Sequence, residues 1–450
     1  MKSKIISIIV SSLACFAIFA QSDSQPADAF FSKFQPVKAP QPKRLLLKKG
    51  DRLAICGDSI TEQKMYSRLV EDYLTMCVPE LKITVRQFGM GSETTAGFLA
   101  RMTNDCLRFS PTIATTCYGM NDFAGRPYDE QIGARYRANS MAIIESFKSH
   151  GARVIQGSPG CVGLEHQWAK GTASSAERNL SLCSLRNIGI EIAQHENVGY
   201  ADVFWPMLTT GFEARKQFGA NYLIAGGDGV HPNWAGHAVM TYAFLKSFGL
   251  DGNIGAFTLD LRRNHLKVSQ GHRVISSKDG EFVIESSRYP FCACAPSILQ
   301  PATFRPSFPD CATDDPSKSD SIRSAFGFIP FNQELNRFTL VVKNAKEKSY
   351  TVIWGNNRKN FSGDQLIKGI NLTEEFLENP FNGAFARVDA AVAIKQKYET
   401  TQIKELFRSP EAKADPAGVA AKTEIEHATL AADIMKAFKP VTYTLKIIPN

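Results

Sequence analysis

The chain is poor in several features that would settle its class at once. Past residue 20, no apolar run approaches the ~18 residues a membrane-spanning helix needs, so no stable membrane insertion is expected. The net charge of +8 comes from scattered residues. No stretch interleaves Lys and Arg with aromatics as a nucleic-acid surface would, and nucleic acid is not an expected partner. Ten cysteines in 450 residues are far too few for a disulfide scaffold. Cys56, Cys77, Cys106 and Cys117 lie in or beside apolar segments and read as buried thiols. Cys292 and Cys294 fall in a Pro-rich stretch, where one bridge to Cys311 is plausible. Cys292-Ala293-Cys294 has no second Cys or His pair at ligand spacing, so no metal is expected. The sequence carries no signal of oligomeric state.

Apolar character does concentrate at the N-terminus. Lys2 and Lys4 precede Ile5 to Ala20, broken only by Ser7, Ser11 and Ser12, and polar Gln21-Ser22-Asp23-Ser24 follows. That is the pattern of a secretory signal peptide over residues 1–20, cleaved after Ala20, and it predicts a secreted or periplasmic protein. Ser12-Leu13-Ala14-Cys15 has Ser12 where a lipoprotein box wants a large aliphatic. Cleavage removes two lysines and leaves a charge of +6.

Four short stretches carry chemistry. Gly57-Asp58-Ser59-Ile60-Thr61 ends an apolar run, and Gly89-Met90-Gly91-Ser92-Glu93-Thr94 follows a second strand-like segment. Gly119-Met120-Asn121-Asp122 follows a third, and Asp228-Gly229-Val230-His231-Pro232 precedes a helical stretch. Alone, each has a bland reading: a helix N-cap at Asp58-Ser59, a turn at Asn121-Asp122, a surface His at His231. Their order, with roughly 30 residues between the first three, puts each at the end of a successive strand in an α/β repeat. An ester carbonyl needs a nucleophile, a base, a group that orients the base, and donors for the oxyanion. Ser59, at a strand-to-helix turn, supplies the first. His231 is the only His within three residues of an Asp, and Asp228 converges on it from the same turn. There is no Gly-x-Ser-x-Gly elbow of the α/β-hydrolase kind.

The set resembles the SGNH (GDSL-type) hydrolase superfamily over about residues 45–250. The resemblance implies a catalytic Ser59, Asp228 and His231. It also implies an oxyanion hole made of the Ser59 backbone N–H, a backbone N–H from the second block and the Asn121 side chain. Alignment on Thr94 makes Ser92 the second donor; alignment on Thr95 makes it Gly91. Asp58 and Asp122 read as loop-organising acceptors. Pro159, where the fourth block falls, shapes the site, and His237 faces a helix surface or the core. No cofactor is implied.

The chain divides into a signal (1–20), a Pro-rich linker (21–44), a hydrolase domain (45–250) and an accessory domain (251–450). The expected fold of the third part is a three-layer α/β/α sandwich with a central parallel, flavodoxin-like sheet. Its strands are expected at Leu53–Cys56, Ile83–Phe88, Thr112–Tyr118 and Val154–Gln156. The accessory part reads as mainly β, with Phe338–Val342 and Ser349–Trp354 as an antiparallel pair and helices over 384–408 and 421–438. It resembles the tails of exported SGNH proteins of planctomycete-type bacteria. Asn336-Arg337-Phe338 and Trp354 read as turn and core rather than a sugar surface, and His265, His272 and His427 as isolated. If this half only shapes access or binds polymer, a fragment ending near Asp251 should still turn over a small ester. The reading is a secreted serine esterase acting on a small-molecule or polysaccharide ester, with carbohydrate O-acetyl groups favoured. A lipase or thioesterase relative, an O-acetyltransferase, and a non-catalytic carbohydrate-binding module are the alternatives.

Overall fold

The computed structural model describes residues 28–163, 173–293 and 315–450. The apolar N-terminal run, Cys294 and Cys311 lie outside them.

Five short strands form the first sheet: β1 (Arg52–Gly57), β2 (Thr84–Gln87), β3 (Ile113–Cys117), β4 (Arg153–Gly157) and β5 (Gly199–Ala201). Their order is β2-β1-β3-β4-β5 and every pairing is parallel. β1 is buried from Leu53 to Gly57 and β3 throughout, as central strands covered on both faces must be. The chain steps from β1 to β2 in one direction and from β2 through β5 in the other. Right-handed crossovers then put the helix Tyr66–Met76 on one face and the helices Thr95–Asp105, Glu130–Ser149 and Ser175–His195 on the opposite face. The last helix of this half, Trp234–Ser247, returns to pack on Tyr66–Met76. The result is an α/β/α sandwich whose strand order reverses between β1 and β3. Open sheets bind ligands beyond the carboxyl ends of strands at such a switch point.

The second half builds two further sheets. β6 (Asn253–Asp260), β7 (His265–Val268), β8 (His272–Lys278) and β9 (Glu281–Ser286) precede β10 (Arg337–Lys343), β11 (Ser349–Trp354), β12 (Asn357–Ser362), β13 (Ile370–Asn371) and β14 (Val441–Pro449). One sheet is ordered β13-β10-β6-β7, the other β12-β11-β14-β9-β8. The expected antiparallel pairing of 338–342 with 349–354 does not form. β10 pairs in parallel with β6, while β11 joins the other sheet between β12 and β14. Trp354 and Phe338 are fully buried and stack on one another, so they are core. His272 is also core, bonded to Ser286 and to the Ile254 carbonyl.

Two segments behave differently from their sequence reading. Residues 28–44, expected as linker, are bound to the first domain. Phe31 and Phe34 are buried against Trp205, with Phe212 packed on Phe31 and Phe204 on Phe34, and Arg186 donates to the Val37 carbonyl. Burying two phenylalanines outweighs the extended, Pro-rich character of the stretch. The second half packs directly on the first. One continuous buried cluster includes both Phe31 and Ile447.

The long helix Asn382–Lys404 makes much of that junction, packing on Tyr66–Met76 and on β2. β2 is an edge strand. Thr84 and Phe88 donate to Asp51 and Ile55, which turns the backbone groups of Val85 and Gln87 outward. An unpaired edge is an aggregation hazard, and here side chains close it. Lys395 Nζ donates to the Val85 carbonyl at 2.7 Å, and the Gln87 N–H donates to Glu399 Oε2 at 3.0 Å. Lys395 is held in turn by Glu71 Oε1 at 3.1 Å and Glu399 Oε1 at 2.5 Å, all three side chains being at most 5% exposed. His427, expected to stand alone, joins this cluster through Glu399 and Arg86.

Candidate active site

β1 delivers Ser59 to the switch point. Asp58 caps the turn that follows, its side chain accepting from the Ile60 N–H at 3.0 Å. Burial pushes the Asp58 carboxyl up to about 7, against that hydrogen bond. Ser59 opens a single helical turn, Ser59–Glu62, and its side chain faces His231.

His231 arrives from the far end of the domain on a tight loop. Gly226 makes the loop possible. Its φ is +79°, and a Cβ there would lie 1.8 Å from the His231 carbonyl oxygen, so only glycine fits. Asp228 Oδ1 accepts from the Val230 and His231 N–H groups, both at 2.9 Å. Its Oδ2 lies 2.7 Å from His231 Nδ1, and His231 Nε2 lies 2.9 Å from Ser59 Oγ. The carboxylate accepts at Nδ1, which leaves Nε2 to accept the Ser59 proton. Burial alone favours the neutral acid at Asp228. The His231 ring and the two backbone donors outweigh it and hold the carboxyl below its ordinary range. His237 is a separate, fully buried histidine between the Tyr66 N–H and Gln63. Burial, then the nearby His231, lower it to about 3, so it stays neutral.

The second and third blocks are tied to each other. Asn121 Nδ2 donates to the Glu93 carbonyl at 2.9 Å, and Asp122 Oδ1 accepts the Thr95 N–H at 3.0 Å. Glu93 is clamped by Arg101 and by the Tyr118 hydroxyl. Pro159 packs on the third block, where a Cβ on Gly119 would meet its ring at 3.0 Å. The two alignments of the second block now separate. The Gly91 N–H is given to Glu62 Oε2 and is not available to a substrate. Ser92 has φ +60°, and no acceptor for its N–H occurs among the described residues. A serine held in the left-handed region costs about 1 kcal/mol and is kept only where the surroundings impose it. Glu62 is the site residue that sequence reasoning missed. It looks like an ordinary helical surface acid, and only its burial reveals it.

Among the described residues no group of His, Cys, Asp and Glu side chains is placed to hold a metal ion, and no helix is long and apolar enough to cross a membrane. The seven described cysteines, Cys292 included, are buried thiols.

A strand-end serine, a histidine and an aspartate in hydrogen-bonded series on a flavodoxin-like sheet define a class of acyl hydrolase. Residues 55–239 match the model of the GDSL-like lipase/acylhydrolase family, and the protein is a serine ester hydrolase. Among solved structures, a gut microbial diltiazem-metabolizing enzyme is similar over 92% of this chain and 100% of its own, at 19% identity and a TM-score of 0.69. That likeness takes in both halves and concerns the fold. An acetylxylan esterase from Geobacillus stearothermophilus is 22% identical over 46% of this chain and 97% of its own, with a TM-score of 0.37. A GDSL-like lipase from Parabacteroides merdae is 19% identical over 46% and 99%, with a TM-score of 0.38. A search among proteins of curated function finds no match.

Proposed function

We propose that the protein is a secreted esterase that forms an acyl-enzyme on Ser59 and removes O-acetyl groups from carbohydrate. The observation that carries the chemistry is the unbroken series Ser59 Oγ, His231 Nε2, His231 Nδ1, Asp228 Oδ2, with gaps of 2.9 and 2.7 Å. Ser59 Oγ attacks the ester carbonyl carbon as its proton passes to His231 Nε2. The oxygen that becomes negative is met by the N–H groups of Ser59 and Ser92 and by the second N–H of the Asn121 amide. His231 then protonates the departing alcohol. Water, deprotonated by the same nitrogen, releases the acid and restores Ser59. Asp228 holds the ring and compensates its positive charge in both steps.

Export is supported by the Lys2, Lys4 and Ile5–Ala20 pattern, and an exported esterase meets acetylated polysaccharide. Ser59→Ala should abolish hydrolysis of p-nitrophenyl acetate, and His231→Ala should cost as much, because the two act as one unit. A panel of acetylated xylan, acetylated sugars and longer acyl esters then separates deacetylase from lipase. Full turnover by folded Ser59→Ala removes the mechanism, and a preference for long acyl chains removes the substrate class.

A further inference from the structure

Ser59 and the second block belong to the first domain, yet the second half holds them in register. Glu62, three residues past Ser59, is the point of contact. Its side chain is 1% exposed, and Lys404 Nζ, from the last turn of the helix Asn382–Lys404, lies 2.6 Å from its Oε1. Its Oε2 accepts the Gly91 N–H. The loop lies flat on this residue: a Cβ on Gly89 would meet the Glu62 nitrogen at 2.2 Å. The same helix grips the start of the loop. Gln87 Nε2 donates to Thr400 Oγ1 at 2.7 Å and to the Gln396 carbonyl at 3.2 Å, and Gln87 Oε1 accepts the Gly89 N–H at 3.0 Å. Residues 87, 89 and 91 are thus fixed from one side by the backbone carbonyl at 396, the side chain at 400 and, through Glu62, the side chain at 404.

Two physical consequences follow. Binding the Gly91 N–H orients that peptide, and the turn that follows leaves the Ser92 N–H without an acceptor among the described residues. A buried carboxylate near a site where an oxyanion forms would oppose the new charge, and the Lys404 ammonium cancels it. Electrostatic preorganisation needs both: a donor in place and no adverse charge beside it.

We infer that Glu62 and Lys404 are a positioning pair for the oxyanion loop, so that the second half of the chain tunes turnover without touching substrate. The inference rests on the esterase reading above. Lys404 is partly exposed, so Lys404→Met tests it with little risk to folding; Glu62→Gln tests the other partner, and Lys404→Arg keeps the charge. With p-nitrophenyl acetate, Lys404→Met and Glu62→Gln should lower kcat by about 10- to 100-fold, as small misplacements of catalytic groups do. KM should stay within about twofold, because the lost interaction is made in the transition state. Lys404→Arg should retain most of kcat, which loss of packing alone would not predict. Amide hydrogen exchange supplies a readout independent of turnover: the peptide spanning residues 88–94 should exchange faster in Lys404→Met and Glu62→Gln than in the wild type. Unchanged exchange together with wild-type kcat overturns the positioning role. If the wild type hydrolyses no ester, the esterase reading fails, and unchanged exchange in Lys404→Met then removes the loop brace as well.

Discussion

Replacing Lys395 with methionine tests how the two halves are joined. The side chain is 2% exposed, and its ammonium contacts Glu71, Glu399 and the Val85 carbonyl. Methionine preserves the length and apolar stem but strands two buried carboxylates and an edge-strand carbonyl. Removing one member of a buried ion pair costs about 3–5 kcal/mol, because the other stays buried and uncompensated. At about 2.1 cal/mol/K per residue, cooperative unfolding of this chain carries an entropy near ~0.9 kcal/mol/K, so Tm should fall by about 3–6 °C. The deficit should depend on pH. Burial pushes Glu399 up, but Lys395, His427 and Arg86 outweigh it and hold the carboxyl below its ordinary range. That contribution is complete above the unfolded glutamate pKa and is lost as pH falls through the lowered folded value. Without Lys395 only His427 and Arg86 remain to hold it down, so the contribution weakens, and the Tm difference should be largest at neutral pH and shrink in acid as the buried carboxylates take up protons. Burial already pushes Glu71 up to about 7 against the pull of Lys395. Lys395→Met/Glu71→Gln should therefore recover part of the loss. Thermal unfolding followed by circular dichroism from mildly acidic to neutral pH gives the answer. Equal Tm values for wild type and Lys395→Met at neutral pH would refute the argument.

Three further outcomes are expected. Asn121→Ala should lower kcat on p-nitrophenyl acetate by about 10²–10³-fold with KM little changed, the cost of one oxyanion donor; a tenfold change in KM alone would point to ground-state binding instead. Asp58→Asn keeps an acceptor for the Ile60 N–H but removes a carboxyl whose folded pKa is about 7. A raised carboxyl costs stability as pH rises from its unfolded value to its folded one, so the variant should gain Tm over the wild type with rising pH and level off past neutrality; a pH-independent difference sinks this. A fragment ending at Asp251 should fail to give a cooperative thermal transition, because it uncovers Arg68, whose buried partner is Asp389 at 2.9 Å, together with Glu71 and the β2 edge. A folded, active fragment would restore the separable accessory domain.

The site was legible where its signal is local. Gly57-Asp58-Ser59, Asn121 and Asp228-x-x-His231 each lie at the end of an element whose apolar pattern announces it, and strand ends on a switch-point sheet converge. The helices Glu130–Ser149 and Ser175–His195 carry local signals of the same kind, the second opening on a capping box at Ser174 and Glu177. Partnership was not readable. Alternation marks β10 and β11 as strands but cannot say that they join different sheets. Lys395 and Glu399 at i and i+4 look like a solvated helical pair; their partners Val85 and Glu71 lie some three hundred residues away, and nothing local marks them as buried. Gly91 and Ser92 looked interchangeable as donors for the same reason, since the choice depends on Glu62.

The capped edge of β2 also bears on how this protein is made. A nascent chain emerges N-terminus first, and its domains fold as they are released. The groups that close the edge stand 310 and 312 residues after the backbone atoms they satisfy. Throughout most of synthesis, the strand therefore presents open hydrogen-bonding groups to any neighbouring polypeptide. Contacts of such long sequence separation also slow folding. The half that carries the motifs is therefore made first and finished last, once the helix that closes its edge strand has been synthesised.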